Sequence, residues 1–167
     1  MSFNSQQAKT KIEEVRFTLL DLHKKLIDTA KIDYEAKHGS IPSPGDFVRL
    51  LIGDPFFAFL HPFSQLITSL DQLLEMAWPL RELDACAVRA EVENLLGDLP
   101  TTPASFRDTY LPMIQKYPEV VIFHAKVKQK LQDLPKPDPA KIIDYLNVRQ
   151  QWHTASKLKR PTSSGHS

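Results

Sequence analysis

The stretch at residues 43–75, SPGDFVRLLIGDPFFAFLHPFSQLITSLDQLLE, decides the fold predicted for this 167-residue chain. It holds five of the chain's nine phenylalanines, which are Phe47, Phe56, Phe57, Phe59 and Phe63. The stretch is also divided by three prolines, which are Pro44, Pro55 and Pro62. Proline begins or bends a helix because it has no N–H for a hydrogen bond in the helix interior. So much apolar surface beside built-in corners is typical of the central core segment of a helical domain.

The helix starts share a further signal, which is a proline at the first helical position, often directly after a capping side chain. The positions that fit are Ser43-Pro44, Asp54-Pro55, Pro103, Pro118 and Asp138-Pro139. They account for much of the count of 13 prolines, whereas five glycines leave few tight strand turns. The sequence has no alternating strand pattern, so it predicts an all-α fold.

The N-terminal part predicts one long helix over about residues 6–37, with Gly39 as its C-terminal stop. Its main apolar stripe has helical spacing and consists of Ile12, Val15, Leu19, Leu22 and Leu26. A second stripe lies beside the first and consists of Phe17, Leu20, Ile27 and Tyr34. Two adjacent stripes predict a helix that packs on two sides, inside a bundle.

The rest of the chain continues the helical pattern. A clean stripe follows Pro62, a further helix covers about residues 80–96 with Gly97 as its stop, and residues 98–102 read as a linker. Helices then start at Pro103, where Pro112 disturbs the run, and at Pro118. The last helix follows Pro139 to about Ala155, and its apolar residues are Ile142, Ile143, Leu146 and Trp152. We predict a single-domain bundle of about seven helices over residues 1–155, with a proline-bent central helix, and a disordered polar and basic tail over residues 156–167.

Composition excludes several functional classes. A net charge of +1 is unlike a general polyanion binder, and Lys126, Lys128 and Lys130 do not share one helix face, so nucleic-acid binding is not expected. The single cysteine, Cys86, excludes an internal disulfide and a thiol-based zinc site. The sequence has no secretory signal and no apolar run long enough to span a membrane, which predicts a cytoplasmic protein.

The charge is nevertheless unevenly spread along the chain. Residues 44–117 carry 5 Lys and Arg against 10 Asp and Glu, whereas residues 118–167 carry 9 against 4. Solvated helix faces that happen to differ would explain this pattern. The alternative is a bipolar surface that orients self-association or a partner.

A search for chemistry gives no catalytic residue, metal site or cofactor. Glu35-x-x-His38 is one fragment of a carboxylate metal site, which needs ligands from several helices. His61 and His124 lie among apolar residues, where a histidine is usually neutral and hydrogen-bonded, and we expect His61 to satisfy a backbone group freed at Pro62. The carboxylate pairs Glu13-Glu14 and Glu91 with Glu93 are predicted on polar helix faces.

The phenylalanines around Pro55 and Pro62 either fill the core, line a ligand pocket or pair with another subunit. The candidate surface is Phe56, Phe59, His61 and Phe63. The first hypothesis is a non-enzymatic interaction or regulatory module that binds a protein partner or itself, as a homodimer. The alternative is a sensor that binds a small apolar molecule in an aromatic pocket near Phe56, Phe59 and Phe63.

Residues 34–74 carry a recognisable set of short motifs, which are Gly39, Ser43-Pro44-Gly45, Asp54-Pro55, Phe57-Ala58 and His61-Pro62-Phe63-Ser64. This stretch resembles a group of small, uncharacterised bacterial helical proteins, which tend to carry tryptophan where this chain has Phe59. The resemblance implies a bacterial cytoplasmic all-helical protein and no particular activity.

Overall fold

The structure, a computed structural model, describes residues 2–97 and 102–159, and its helices confirm the all-α prediction. Within these residues the chain forms seven α-helices, two short 3-10 helices and no strand. The α-helices are α1 Ser5–His38, α2 Pro44–Gly53, α3 His61–Leu74, α4 Glu82–Leu96, α5 Ala104–Lys116, α6 Pro118–Leu131 and α7 Ile142–Lys159. The 3-10 helices are Pro55–Leu60 and Pro139–Lys141, which lead into α3 and α7.

The predicted caps are formed by side-chain oxygens that accept backbone N–H groups. Ser43 Oγ accepts from Asp46 N at 3.1 Å, and Asp54 Oδ1 accepts from Phe56 N at 2.8 Å. Asp138 Oδ1 accepts from Ala140 N at 2.9 Å. At the central bend, α3 begins at His61, so Pro62 lies in its first turn, where its missing N–H does no harm.

Helix α1 runs through the middle of the bundle and contacts α3, α4 and α6. Its main stripe is fully buried, as predicted. The prediction for the second stripe is wrong at Phe17, whose side chain is 64% exposed, whereas Leu20, Ile27 and Tyr34 are partly buried. At 3.6 residues per turn, Phe17 lies almost opposite the buried stripe, where it lines a surface cleft beside Asp71 and Leu74 of α3 and stays largely exposed.

Helices α4 and α7 are joined by a buried polar network around Asp84. Asp84 Oδ1 accepts from Trp152 Nε1 at 2.9 Å and from Arg81 Nη2 at 3.0 Å. Its Oδ2 accepts from the Nε and the backbone N of Arg81, at 3.1 and 2.9 Å. Burial pushes the pKa of Asp84 upward, but the hydrogen bonds from Arg81 and Trp152 outweigh it and hold the pKa below its usual value. The network therefore fixes α7 against α4 through an ionised carboxylate.

The last helix differs from its prediction in length and in orientation. It runs to Lys159 instead of about Ala155, and residues 160–167 of the predicted tail lie outside the described residues. Its buried apolar residues are Tyr145, Val148, Trp152 and Ala155. The apolar side chains of Ile142, Ile143 and Leu146 are exposed instead.

Two further expectations concern the linker and the membrane. Residues 98–101 of the predicted linker lie outside the described residues, and Thr102 Oγ1 donates to Asn94 O at 2.6 Å, which holds the chain against the end of α4. Within the described ranges, no single helix is both long and apolar enough to cross a membrane. The segments Pro44–Gly53 and Pro55–Leu74, bent by 71° at their junction, reach that length and composition only together.

Candidate ligand-binding site

The four predicted surface residues of the phenylalanine corner occupy different environments. Phe63 is fully buried, and its ring stacks on His23 with 5.3 Å between centroids. Phe59 is also buried, Phe56 is half-buried and His61 is exposed. The structure therefore does not bring the four side chains together on one surface.

His61 has a backbone role, at a different carbonyl from the expected one. Its Nε2 lies 3.3 Å from the carbonyl oxygen of Leu51, near the end of α2. In a continuing helix this oxygen would accept from the residue four positions later, which is Pro55 and has no N–H. The imidazole therefore lies within hydrogen-bond distance of the Leu51 carbonyl oxygen, which Pro55 leaves without a helical donor. The predicted partner, a backbone group freed at Pro62, is not the one it contacts.

A cleft of about 520 Å³, here called the Phe56 cleft, lies between α1, the 3-10 helix Pro55–Leu60 and α5. Phe56 and Phe59 line it, together with Asp33, Lys37 and Lys116. Three of the charged side chains at its rim are already engaged, since Lys116 Nζ lies 2.6 Å from Asp33 Oδ1 and Lys37 Nζ lies over the Phe56 ring. Its aromatic floor fits the predicted pocket only at Phe56 and Phe59.

A second cavity of about 500 Å³, here called the α4–α7 cavity, lies between α4, the turn before Pro139 and the first turns of α7. Most of the surface of its wall is apolar, but the lining also includes the charged residues Arg89, Glu93, Lys136 and Asp138. The lining includes Ala90, Glu91, Pro137, Ile142, Tyr145 and Leu146. Its size and lining are those of small-molecule sites in proteins.

Glu91 gives this cavity its unusual polar group. The residue is 9% exposed, and no donor among the described residues lies within hydrogen-bond distance of Oε1. Its Oε2 lies 3.8 Å from Arg149 Nη1 on α7, which is an ion-pair contact but too long for a hydrogen bond. Burial raises the pKa of Glu91 more than the Arg149 charge lowers it. Burial likewise lowers the pKa of Arg149, so both groups are poorly solvated.

Hydrogen bonds join the proline-rich turn beside the cavity to both helices. Arg89 Nη1 donates to the carbonyl of Leu134 at 2.8 Å, which ties the turn to α4, and Arg89 Nε donates to Glu93 of the same helix at 2.8 Å. The hydroxyl of Tyr145 accepts from the backbone N of Asp138 at 2.7 Å, which ties the turn to α7. The turn that closes one side of the cavity is therefore bonded to α4 and to α7.

Two further polar pairs, each between a hydroxyl group and a half-buried histidine, lie elsewhere in the bundle. The Tyr110 hydroxyl and His124 Nδ1 are 2.6 Å apart, and burial raises the pKa of Tyr110. Ser64 Oγ and His23 Nε2 are 3.0 Å apart, and burial lowers the pKa of His23. Neither pair is among the described residues that line the two cavities. These histidines thus satisfy buried hydroxyl groups, the role that sequence reasoning gives to a histidine among apolar residues.

The metal fragment also has a structural role. Glu35 Oε2 accepts from the backbone N of Ile41 at 3.0 Å, and the ring of His38 packs against Tyr34. Across residues 2–97 and 102–159, no group of three or more His, Cys, Asp and Glu side chains is arranged to hold a metal ion. The half-buried Cys86 lies on α4, where burial raises the pKa of its thiol.

Sequence reasoning missed Glu91, which it assigned to a polar face. The available signal was its register on α4, three residues after Val88 and four before Leu95, both of which are buried. A helical residue at those spacings lies on the same face as its two neighbours. Its inward position was therefore readable, although the cavity beside it was not.

Comparisons with protein-family models, with curated proteins and with solved structures found no match for this chain. The resemblance of residues 34–74 to small bacterial helical proteins stays a prediction.

Proposed function

We propose that this protein is a non-enzymatic binding protein that holds a small, partly apolar molecule in the α4–α7 cavity. The observation that supports the proposal is Glu91, which lines the cavity and has one buried carboxylate oxygen without a donor among the described residues. Leaving such a group unsatisfied costs about 1–3 kcal/mol, and buried polar groups in folded proteins nearly always have a partner. A bound molecule with a donor group would supply that partner.

The proposal also uses the apolar part of the lining. Ile142 and Leu146 are half-exposed, and both line the cavity. A ligand that covers them removes apolar surface from water, which is favourable. This explains why the first turns of α7 present their aliphatic side chains outward, as a wall for a ligand. The cytoplasmic location expected from the sequence is kept as part of this proposal.

The test is a screen of small amphipathic molecules followed by backbone amide NMR shifts, with two cavity-filling variants. Ala90→Leu fills the α4–α7 cavity, and Ala36→Leu places the same extra volume in the Phe56 cleft. We expect bound molecules to shift amides of α4 and α7, with binding lost in the Ala90 variant and kept in the Ala36 variant. Binding that only Ala36→Leu abolishes would move the site to the Phe56 cleft.

Self-association is the second candidate function. Val48 and Ile52 lie one turn apart on α2, and both are more than half exposed. Every residue of α2, all of which the structure describes, keeps some exposure to solvent. A second copy of this chain is the proposed occupant of this apolar face, since residues 44–117 and 118–167 carry opposite net charges that would attract each other between copies.

A further inference from the structure

We propose that the ligand of the α4–α7 cavity is a cationic amphiphile, with a protonated amine that meets Glu91 and an apolar body that lies against Ile142 and Leu146. This inference rests on the proposed function and adds the chemical class of the ligand. It follows from three properties of the cavity, which are the acceptor that lacks a donor, the engaged state of the nearby cations and the apolar mouth.

The first property is the carboxylate oxygen of Glu91 that lacks a donor among the described residues. An ionised carboxylate accepts hydrogen bonds and donates none, so Glu91 Oε1 is completed by an N–H or O–H group of the ligand. Oε1 itself is closed to solvent in the structure. The proposal therefore requires the Glu91 carboxylate to turn about its last bond, so that one of its oxygens meets the donor of the ligand. An ammonium group is the strongest such donor, because a charge-assisted hydrogen bond is roughly twice as strong as a neutral one.

The cations near Glu91 are already engaged. Arg89 donates to Glu93 and to the carbonyl of Leu134, and Arg149 Nε donates to Ser69 Oγ at 2.9 Å. Among the described residues that line the cavity, the remaining cation is Lys136, which is exposed and interacts mainly with water. An anionic head group would therefore meet the Glu91 charge without an uncommitted buried cation to balance it.

The apolar body of the ligand is set by the mouth of the cavity. Ile142 and Leu146 lie one turn apart on α7 and form an aliphatic wall on one side of the cavity. Pro137 and Ala90 also line it, and neither side chain has a polar atom. A chain or ring of a few carbons next to the amine fits this surface, because covering it removes apolar area from water.

The experiment compares hexylamine, 1-hexanol and hexanoate, which share one carbon chain and differ in their head group. Binding is measured by calorimetry and by amide shifts at neutral pH, where the amine is protonated. We expect hexylamine to bind most tightly and hexanoate least. Glu91→Gln should weaken hexylamine binding roughly 10- to 100-fold and leave hexanol unchanged. Asp144→Asn, an exposed change of equal charge away from the cavity, should leave all three unchanged.

Ala90→Leu should abolish binding of all three probes. Ile142→Ser, at a half-exposed position, should weaken all three if the Ala90 variant does not fold. A cavity that binds hexanol and hexanoate as well as hexylamine, or a Glu91 variant that keeps full hexylamine affinity, would overturn the cationic ligand and leave the proposed function standing. Failure of every probe to bind the wild-type cavity would overturn both.

Discussion

Replacement of Trp152 by phenylalanine tests the link between α4 and α7 that frames the cavity. The indole is fully buried and donates from Nε1 to Asp84 Oδ1 at 2.9 Å. A hydrogen bond to a charged partner contributes about 1.5–3 kcal/mol, and the void left by the smaller ring costs about 1 kcal/mol more. We therefore expect Trp152→Phe to lower the free energy of unfolding by about 3 kcal/mol at neutral pH.

The assay is urea unfolding followed by far-UV circular dichroism, at neutral and at acid pH. The matched control is Trp78→Phe, because Trp78 is 49% exposed and its replacement should change stability by less than about 0.5 kcal/mol. A loss for Trp152→Phe no larger than for the control would refute the role of the Asp84 network.

The same network predicts a direction for the pH dependence. The pKa of Asp84 is depressed in the folded protein, so its contribution is present above the usual value of 3.8 and is lost as the pH falls through the folded-state pKa. The Trp152 hydrogen bond is one cause of that depression. The stability gap between the wild type and Trp152→Phe should accordingly narrow in acid. A gap that stays constant would mean that packing alone, and not the carboxylate, accounts for the loss.

Three further predictions concern the core, the surface and the buried glutamate. Phe63→Ala should cost about 3–5 kcal/mol in urea unfolding, whereas the same change at the exposed Phe17 should cost less than about 0.5 kcal/mol. The oligomeric state is measured by light scattering at two protein and two salt concentrations. If the wild type is a dimer, Ile52→Asp should give a monomer of unchanged stability, because the Ile52 side chain is 71% exposed. A wild type that is a monomer under all these conditions would contradict self-association. Glu91→Gln should raise the unfolding free energy by about 1 kcal/mol at neutral pH, because burial raises the pKa of Glu91 and makes its charged form unfavourable. This gain in unfolding free energy should vanish as the pH falls below 4.5, the usual pKa of a glutamate. The measurement is urea unfolding of the wild type and of Glu91→Gln at neutral and at acid pH. A variant that is less stable than the wild type at neutral pH would contradict the prediction.

Most of the fold could be predicted because its signals are local. A capping side chain followed by proline marks the start of a helix in a segment of only a few residues, as at Ser43, Asp54 and Asp138. The buried stripe of α1 was equally readable, because its spacing repeats over several turns. The sequence does not show how many other helices pack against each helix. Phe17 on α1 and Ile143 on α7 are exposed, the latter by 75%, because no helix covers those faces in the part of the chain that the structure describes.

The candidate site was harder to predict because it depends on distant parts of the chain. The α4–α7 cavity combines Glu91 with Ile142 and Leu146, which lie about fifty residues later and meet it only through the packing of two helices. The phenylalanine corner stands out in the sequence because of its composition. Phe63 is nevertheless a buried core residue, because burial removes the apolar surface of its ring from water. A polar residue at an inward helical position, such as Glu91, is the more informative signal.

The two buried carboxylates of α4 make the strongest case for a ligand. Asp84 and Glu91 lie seven residues apart, two turns along one face, and both have partners on α7. Asp84 accepts four hydrogen bonds, and its pKa is lowered. Glu91 has one long ion pair and an oxygen without a donor among the described residues, and its pKa is raised. Asp84 is satisfied by Trp152 of α7 and by Arg81, which directly precedes α4, so an acceptor without a donor is not a general property of this interface. It coincides with the cavity, where a bound molecule can complete it.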